Sequence, residues 1–294
     1  MPNDLVVDVV QFLLKHEADV NPQRDDLSTP LHLAAARRYF QVAQMLFQRR
    51  ADVNSWNTGG ETPLHLVTEC TFPRSEDNRL NLIWLLLKYG AEVNSRDYDS
   101  TPLRNVLNLE VARMFLNHGA YVNAEDNRRR TPLHRVLEFK YEGHFDVAQL
   151  LVKHGADIKA QDKGHQTPLH LASCLLEPKV VRVLLDHGAN VNTEDNQGRT
   201  PLHQVLESEY DGHFDVAQLL VEHGADVNAR VEDRQTPLHS VSSYNPELKL
   251  VRMLSTMARM STRRTTGAGP HWAECWKPGI TLTKMLMFSV LHSC

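Results

Sequence analysis

The sequence predicts an all-α repeat solenoid, in which stacked helix-turn-helix units are joined by β-hairpin loops. Three observations predict it. Thr-Pro-Leu-His begins at Thr29, Thr62, Thr131, Thr167, Thr200 and Thr236, with Thr-Pro-Leu-Arg at Thr101, so successive starts lie 33, 39, 30, 36, 33 and 36 residues apart. A glycine recurs at 90, 119, 155, 188 and 224, and the next Thr-Pro follows it by 12 residues in four cases and by 11 after Gly90. Between these marks apolar residues return at helical spacing. Self-similarity with such a period marks a stack of small units that cannot bury their apolar faces alone.

Each element has a mechanical reason. Threonine is a good N-cap, accepting a bond from an unpaired amide of the first turn. Proline at the first helical position loses nothing, because its missing N–H had no partner there. The short helix that follows is apolar on one side, as in PLHLAAA from Pro30 to Ala36. A second helix, such as DVAQLLVKH from Asp146 to His154, puts Val147, Leu150 and Leu151 on one face. Glycine then supplies the left-handed residue that ends the helix. Segments such as ADVNA and EDNQGR add an extended piece and a turn, a projecting hairpin.

Composition narrows the class of function. The chain has 294 residues with 41% apolar content, enough for a continuous core. Lys and Arg number 32 against 36 Asp and Glu, a formal charge of −4, which argues against a nucleic-acid partner. Acidic residues interrupt the first apolar run, so no secretory signal is read there. The longest late apolar run, MLMFSVL after Lys284, is too short to span a membrane. Cys70, Cys174, Cys275 and Cys294 form no CxxC pair and read as ordinary thiols in a reducing compartment. A soluble, cytoplasmic protein is expected, with the nucleus as the other compartment.

With seven Thr-Pro-Leu starts in register, the chain resembles the ankyrin repeat family from about Leu5 to Leu254. The resemblance implies a non-catalytic, monomeric protein-binding solenoid whose partner, another protein, lies along a concave groove. The groove would be lined by hairpin tips and by exposed positions of the first helices. Here the tips are Asn127, Arg128, Arg130, Lys163, Gln166, Asn196, Gln197 and Arg199; the helix positions are Arg135, Glu138, Gln204 and Glu207. It also implies that each Thr-Pro-Leu-His histidine bonds neighbouring backbone and ties repeats together. Six of the 16 histidines are of this kind, four more end helices at His118, His154, His187 and His223, and His144 and His213 belong to a duplicated insert. No nucleophile or orienting partner accompanies them, so no catalytic residue is expected. No cofactor or metal is expected either: His271, Cys275 and Cys294 lack a fourth ligand at finger-like spacing. Arg128 to His134, RRRTPLH, is a short basic cluster, read as a solvated tip or as a contact for phosphate or an acidic peptide. Asn57 to Glu61, NTGGE, lacks the lysine of a phosphate loop.

Departures from the pattern are equally legible. Glu17 and Arg50 stand at the helix-ending glycine position, so those ends should be strained or differently closed. Arg104 replaces the motif histidine in a repeat whose inter-helix connection is three residues short, and the Thr62 repeat gains about seven residues around Thr71 to Asn78. TPLHRVLEFKYEGHFDVAQLLVKHGAD and TPLHQVLESEYDGHFDVAQLLVEHGAD are near copies 69 residues apart, which implies duplication of a two-repeat block.

The expected organisation is an incomplete repeat over 1–28 (second helix and hairpin), seven repeats over 29–254, and a non-repeat tail over 255–294. Codons permitted for the tail, shifted by one base at Leu254, spell LDHGANVNAEDDRGRTPL; residues 185–202 are LDHGANVNTEDNQGRTPL. The tail therefore reads as the next repeat translated out of frame. Two other functions stay open at this point. One is a substrate-recruiting adaptor of a ubiquitin ligase, with the tail as docking box; the other is a fragment of a larger ankyrin-containing enzyme or receptor.

Overall fold

The structure, a computed structural model, describes residues 3–68, 76–138, 143–207, 213–231, 234–244, 252 and 254–256. The tail beyond 256 and the first part of the insertion at Thr71 to Asn78 lie outside the described residues. Contacts divide the chain into two compact blocks, Met1–Val136 with Tyr141–Asp157, and Leu137–Lys140 with Ile158–Cys294. The regular elements described in both are helices, and no described residue lies in a strand.

The first block holds α1 (Asn3–Lys15), α2 (Pro30–Arg37), α3 (Phe40–Gln48), α4 (Pro63–Thr68), α5 (Glu76–Lys88), a 3₁₀ turn (Pro102–Asn105), α6 (Leu109–Asn117), α7 (Pro132–Val136) and α8 (His144–Lys153). The second holds α9 (Pro168–Cys174), α10 (Pro178–Asp186), α11 (Pro201–Glu207), α12 (His213–Glu222) and α13 (Pro237–Tyr244). In the first block α2 packs on α4, α4 on the 3₁₀ turn, and the turn on α7; α1, α3, α5, α6 and α8 pack in succession as a second layer. In the second block α9, α11 and α13 form one layer and α10 and α12 the other. The first and second helices of successive repeats thus stack separately, with the core between the layers. Leu31, Leu64, Leu103, Leu133, Leu169 and Leu202, one from each of six Thr-Pro-Leu starts, are at most 2% exposed. Burying each such side chain contributes about 1.5–3 kcal/mol before entropy is counted.

Helix starts are closed by threonine and histidine together. The Thr29 amide donates to His32 Nδ1 at 3.1 Å, and the Thr29 hydroxyl lies 2.9 Å from the same nitrogen. The arrangement is a capping box with histidine at the third helical position in place of the usual Glu or Gln. The same pair of contacts recurs at Thr62, Thr131, Thr167, Thr200 and Thr236. The Thr101 repeat, with Arg104 in that slot, keeps only a 3₁₀ turn, and α6 starts instead at Asn108, whose Oδ1 accepts from the Glu110 and Val111 amides. With so few residues before α6, a single tight turn is all that fits.

Second helices end as expected at Gly90, Gly119, Gly155, Gly188 and Gly224, with φ between 80° and 89°. Glu17 and Arg50 take φ of 62° at the same position. Their ends are not differently closed: the Arg50 amide reaches Phe47 O and the Ala51 amide Leu46 O, as those of Gly90 and Ala91 reach Leu87 and Leu86. Of the two expected outcomes, the strained left-handed residue is the one found, costing about 1 kcal/mol.

The loops fold as tight turns instead of paired strands. Asp126 N donates to Arg130 O, and Asp195 N to Arg199 O. Successive loops are stitched by an asparagine that the repeat pattern carries just after every second-helix end but one. Asn54 Nδ2 donates to Gly90 O while its Oδ1 accepts from the Glu92 amide. Asn94, Asn123 and Asn192 repeat this two-way bond to the next repeat, at Gly119 and Tyr121, Gly155 and Asp157, and Gly224 and Asp226. Lys159 occupies the corresponding position before Gly188, and a lysine ammonium has no acceptor with which to complete such a rung.

Candidate functional site

Each complete loop is organised around one side-chain acceptor. Asp126 Oδ1 accepts from the Arg128 and Arg130 amides at 2.8 Å, and Oδ2 from the Arg130 guanidinium at 2.8 Å. Asp195 does the same with the amides of Gln197 and Arg199 and with the Arg199 guanidinium. Asp162 holds the Gly164 and Gln166 amides, and Asn57 those of Gly59 and Glu61. Burial alone would raise the Asp126 and Asp195 carboxyls. The amides and guanidinium of Arg130 and Arg199 outweigh it and hold both below the ordinary 3.8.

Loops also bond one to the next. Tyr98 N donates to Gly59 O, and Asn127 Nδ2 to Tyr98 O at 2.6 Å. In the second block Asn196 donates its backbone amide to Gly164 O and its side-chain amide to Lys163 O. The polar backbone of the loops is therefore satisfied from within, leaving side chains to meet solvent.

The predicted contact residues divide on this basis. Asn127, Arg128, Lys163, Asn196 and Gln197 are exposed. Arg130 and Arg199 are not free tips; each is clamped on its aspartate, with side chains 12% and 26% exposed, and Arg199 also meets Glu207 at 3.3 Å. Gln166, Arg135 and Glu138 are half-buried, as is Glu207. Gln204, expected on an exposed helix face, is buried, because its amide donates to Asp195 Oδ2 at 3.2 Å. Reading exposure from repeat register overlooked the carboxylate that draws this side chain inward. The sequence reading also missed Tyr98, the most exposed of the large apolar side chains described at 77%, and Trp56 at 60%. Their signal was available: an aromatic residue inside a loop has no core to enter.

The histidines act as fasteners. With a backbone N–H donating to Nδ1 of His32, that nitrogen must be the acceptor, so the proton sits on Nε2, which donates to Glu61 O of the next repeat at 3.1 Å. His170 does the same to Arg199 O. Burial lowers His32, His65, His170 and His203 below the ordinary 6.5, against the opposing pull of nearby carbonyls and carboxylates. The helix-ending histidines carry the proton on the opposite nitrogen: Nδ1 of His118, His154, His187 and His223 donates to the carbonyl four residues earlier. Burial pushes the Cys174 thiol up, away from the reactive thiolate form. No three His, Cys, Asp or Glu side chains cluster as metal ligands among the described residues, and no helix there is long and apolar enough to cross a membrane. His271, Cys275 and Cys294 lie outside the described residues.

Comparison with known proteins agrees with this architecture. No match was found among curated proteins. The family model described as ankyrin repeats matches three times, over residues 3–97, 99–162 and 142–231. Ankyrin repeats are in general protein–protein interaction modules and typically non-enzymatic. From the stacked helix pairs, the threonine–histidine starts and this match over most of its length, the chain belongs to the ankyrin repeat family.

Proposed function

We propose that this protein is a non-catalytic scaffold that binds another protein through its loops, chiefly through Asn127, Arg128, Lys163, Asn196 and Gln197. One observation carries the reading. The loops spend their backbone groups, and Asp126, Asp162 and Asp195, on holding their own shape, while presenting exposed polar side chains of varied type. Such a surface is preorganised, so little loop ordering opposes association. Recognition is distributed over several loops, and Arg130, Arg199 and Gln204 contribute by fixing their shape.

Site-specific photo-crosslinking in cells tests this. A photoreactive residue at Arg128, Lys163 or Gln197 is expected to give discrete protein adducts, and one at Lys179 or Arg182, exposed on α10, to give none. Adducts from α10 alone, or the same adducts from every position, would overturn the proposal.

A further inference from the structure

We infer that the loop surface of the first block running from Tyr98 to Arg135 takes an acidic peptide segment, with Arg128, Arg129 and Arg135 meeting its carboxylates and Tyr98 its apolar side chains. This deepens the recognition reading above and rests on it.

The chain supplies its own control. The two near copies share the Asp–Arg clamp, at Asp126 with Arg130 and at Asp195 with Arg199, with bonds of the same length to within 0.1 Å. The loop differs at two positions the clamp does not use, Arg128 against Gln197 and Arg129 against Gly198, and the first turn differs at Arg135 against Gln204, whose amide bonds Asp195. Over 125–135 four arginines face two carboxylates, a formal +2; over 194–204 one arginine faces two, a formal −1. Three positive charges therefore separate two loops of one design, and the Asp195–Arg199 clamp forms without them.

Arg129 sharpens the point. It takes φ of 61°, whereas its counterpart Gly198 takes 71°. The first copy holds a side chain in a left-handed conformation that its own duplicate assigns to glycine. Leu27, His165 and Arg234 take the same left-handed turn two residues before their Thr-Pro, so the loop imposes the conformation and Arg129 differs from its counterpart by the charge it displays there.

The local carboxylates do not cancel this charge evenly. Asp126 is fully committed to Arg130, and Asp99 is paired with Arg104. Glu125 lies 3.9 Å from Arg129 with both side chains about half exposed, a contact that salt screens. Arg128 has no ion-pair partner among the described residues. Burial, then Arg135 and Arg130, lower the Arg104 guanidinium against the pull of Asp126 and Asp97, so Arg135 lies close enough to add its charge to the first turn behind the loop. Beside it Tyr98 is held by the Asn127 side chain, which binds its carbonyl. An exposed aromatic side chain on a backbone tied to the arginine-bearing loop suits a segment mixing carboxylates with large apolar side chains.

Fluorescence anisotropy with a labelled peptide of alternating glutamate and phenylalanine, about a dozen residues long, tests the inference. The informative variant is Arg128→Gln/Arg129→Gly/Arg135→Gln, which writes the second copy's residues onto the first. Because these residues already serve the same loop elsewhere in the chain, thermal stability is expected to hold or rise. Peptide affinity is expected to fall by about tenfold or more, and the wild-type affinity to weaken steeply with added salt. Tyr98→Ala, which touches no charge, is an independent second variant and is expected to weaken binding several-fold. Unchanged affinity in both variants would overturn the inference, as would tighter binding of a single-stranded oligonucleotide than of the peptide. Crosslinks at Lys163 and Gln197 that persist alongside unchanged peptide affinity would sink this inference alone. Loss of those crosslinks with arginine-dependent peptide binding intact would instead count against the distributed surface.

Discussion

His32 and His118 use the same ring nitrogen for opposite purposes: Nδ1 of His32 accepts the N-cap amide, and Nδ1 of His118 donates to a helix-end carbonyl. The difference has a consequence for pH. A protonated imidazole cannot accept, so charging His32, His65, His170 or His203 removes the helix-start bond and buries a cation. Their folded values lie below the ordinary 6.5. The unfolded chain therefore binds protons more readily than the native one as pH falls. The stability these residues provide is intact above 6.5 and is lost as pH drops through it toward the lower folded values. Asp126 and Asp195 follow only below 3.8. Denaturant unfolding should show a midpoint that falls between about pH 7.5 and 5.5, a slope that His170→Asn reduces. A flat midpoint across that window would refute the assigned tautomer.

At the level of the repeat element, the asparagine rung joins each loop to the next with one donor and one acceptor from a single side chain. Lys159 interrupts that series. Lys159→Asn is expected to supply the acceptor that a lysine lacks and to raise unfolding stability by about 1 kcal/mol. Asn192→Lys should lower it by a similar amount, and equal stability in the two exchanged variants would mean the rung carries no load. The recurring Val-Asn dipeptide was plain in the sequence, yet its role was not, because the bond spans about a whole repeat and appears only once repeats are stacked. Helix starts and glycine ends were readable because their causes are local. Arg50 shows the limit of that locality: the sequence marks a residue unsuited to a left-handed end, and only the packed neighbours force it to adopt one.

Across the whole molecule, the residues that hold the loops are distinct from the residues that the loops display. Register alone grouped Arg128 with Arg130, because both are arginines beside the same turn. Their difference arises from a buried carboxylate four residues before Arg130, a pairing that exposure averages cannot supply. Asn127 and Arg128 were legible as surface; Arg130, Arg199 and Gln204 were not legible as clamps. Single charge reversals at the two neighbouring arginines test this separation most directly. Arg130→Glu puts a second carboxylate against Asp126, whose side chain is fully buried, and denaturant unfolding should record a loss of about 3 kcal/mol or more. Arg128→Glu should stay within about 0.5 kcal/mol of the parent. Equal losses at the two positions, or a larger one at Arg128, would contradict the account.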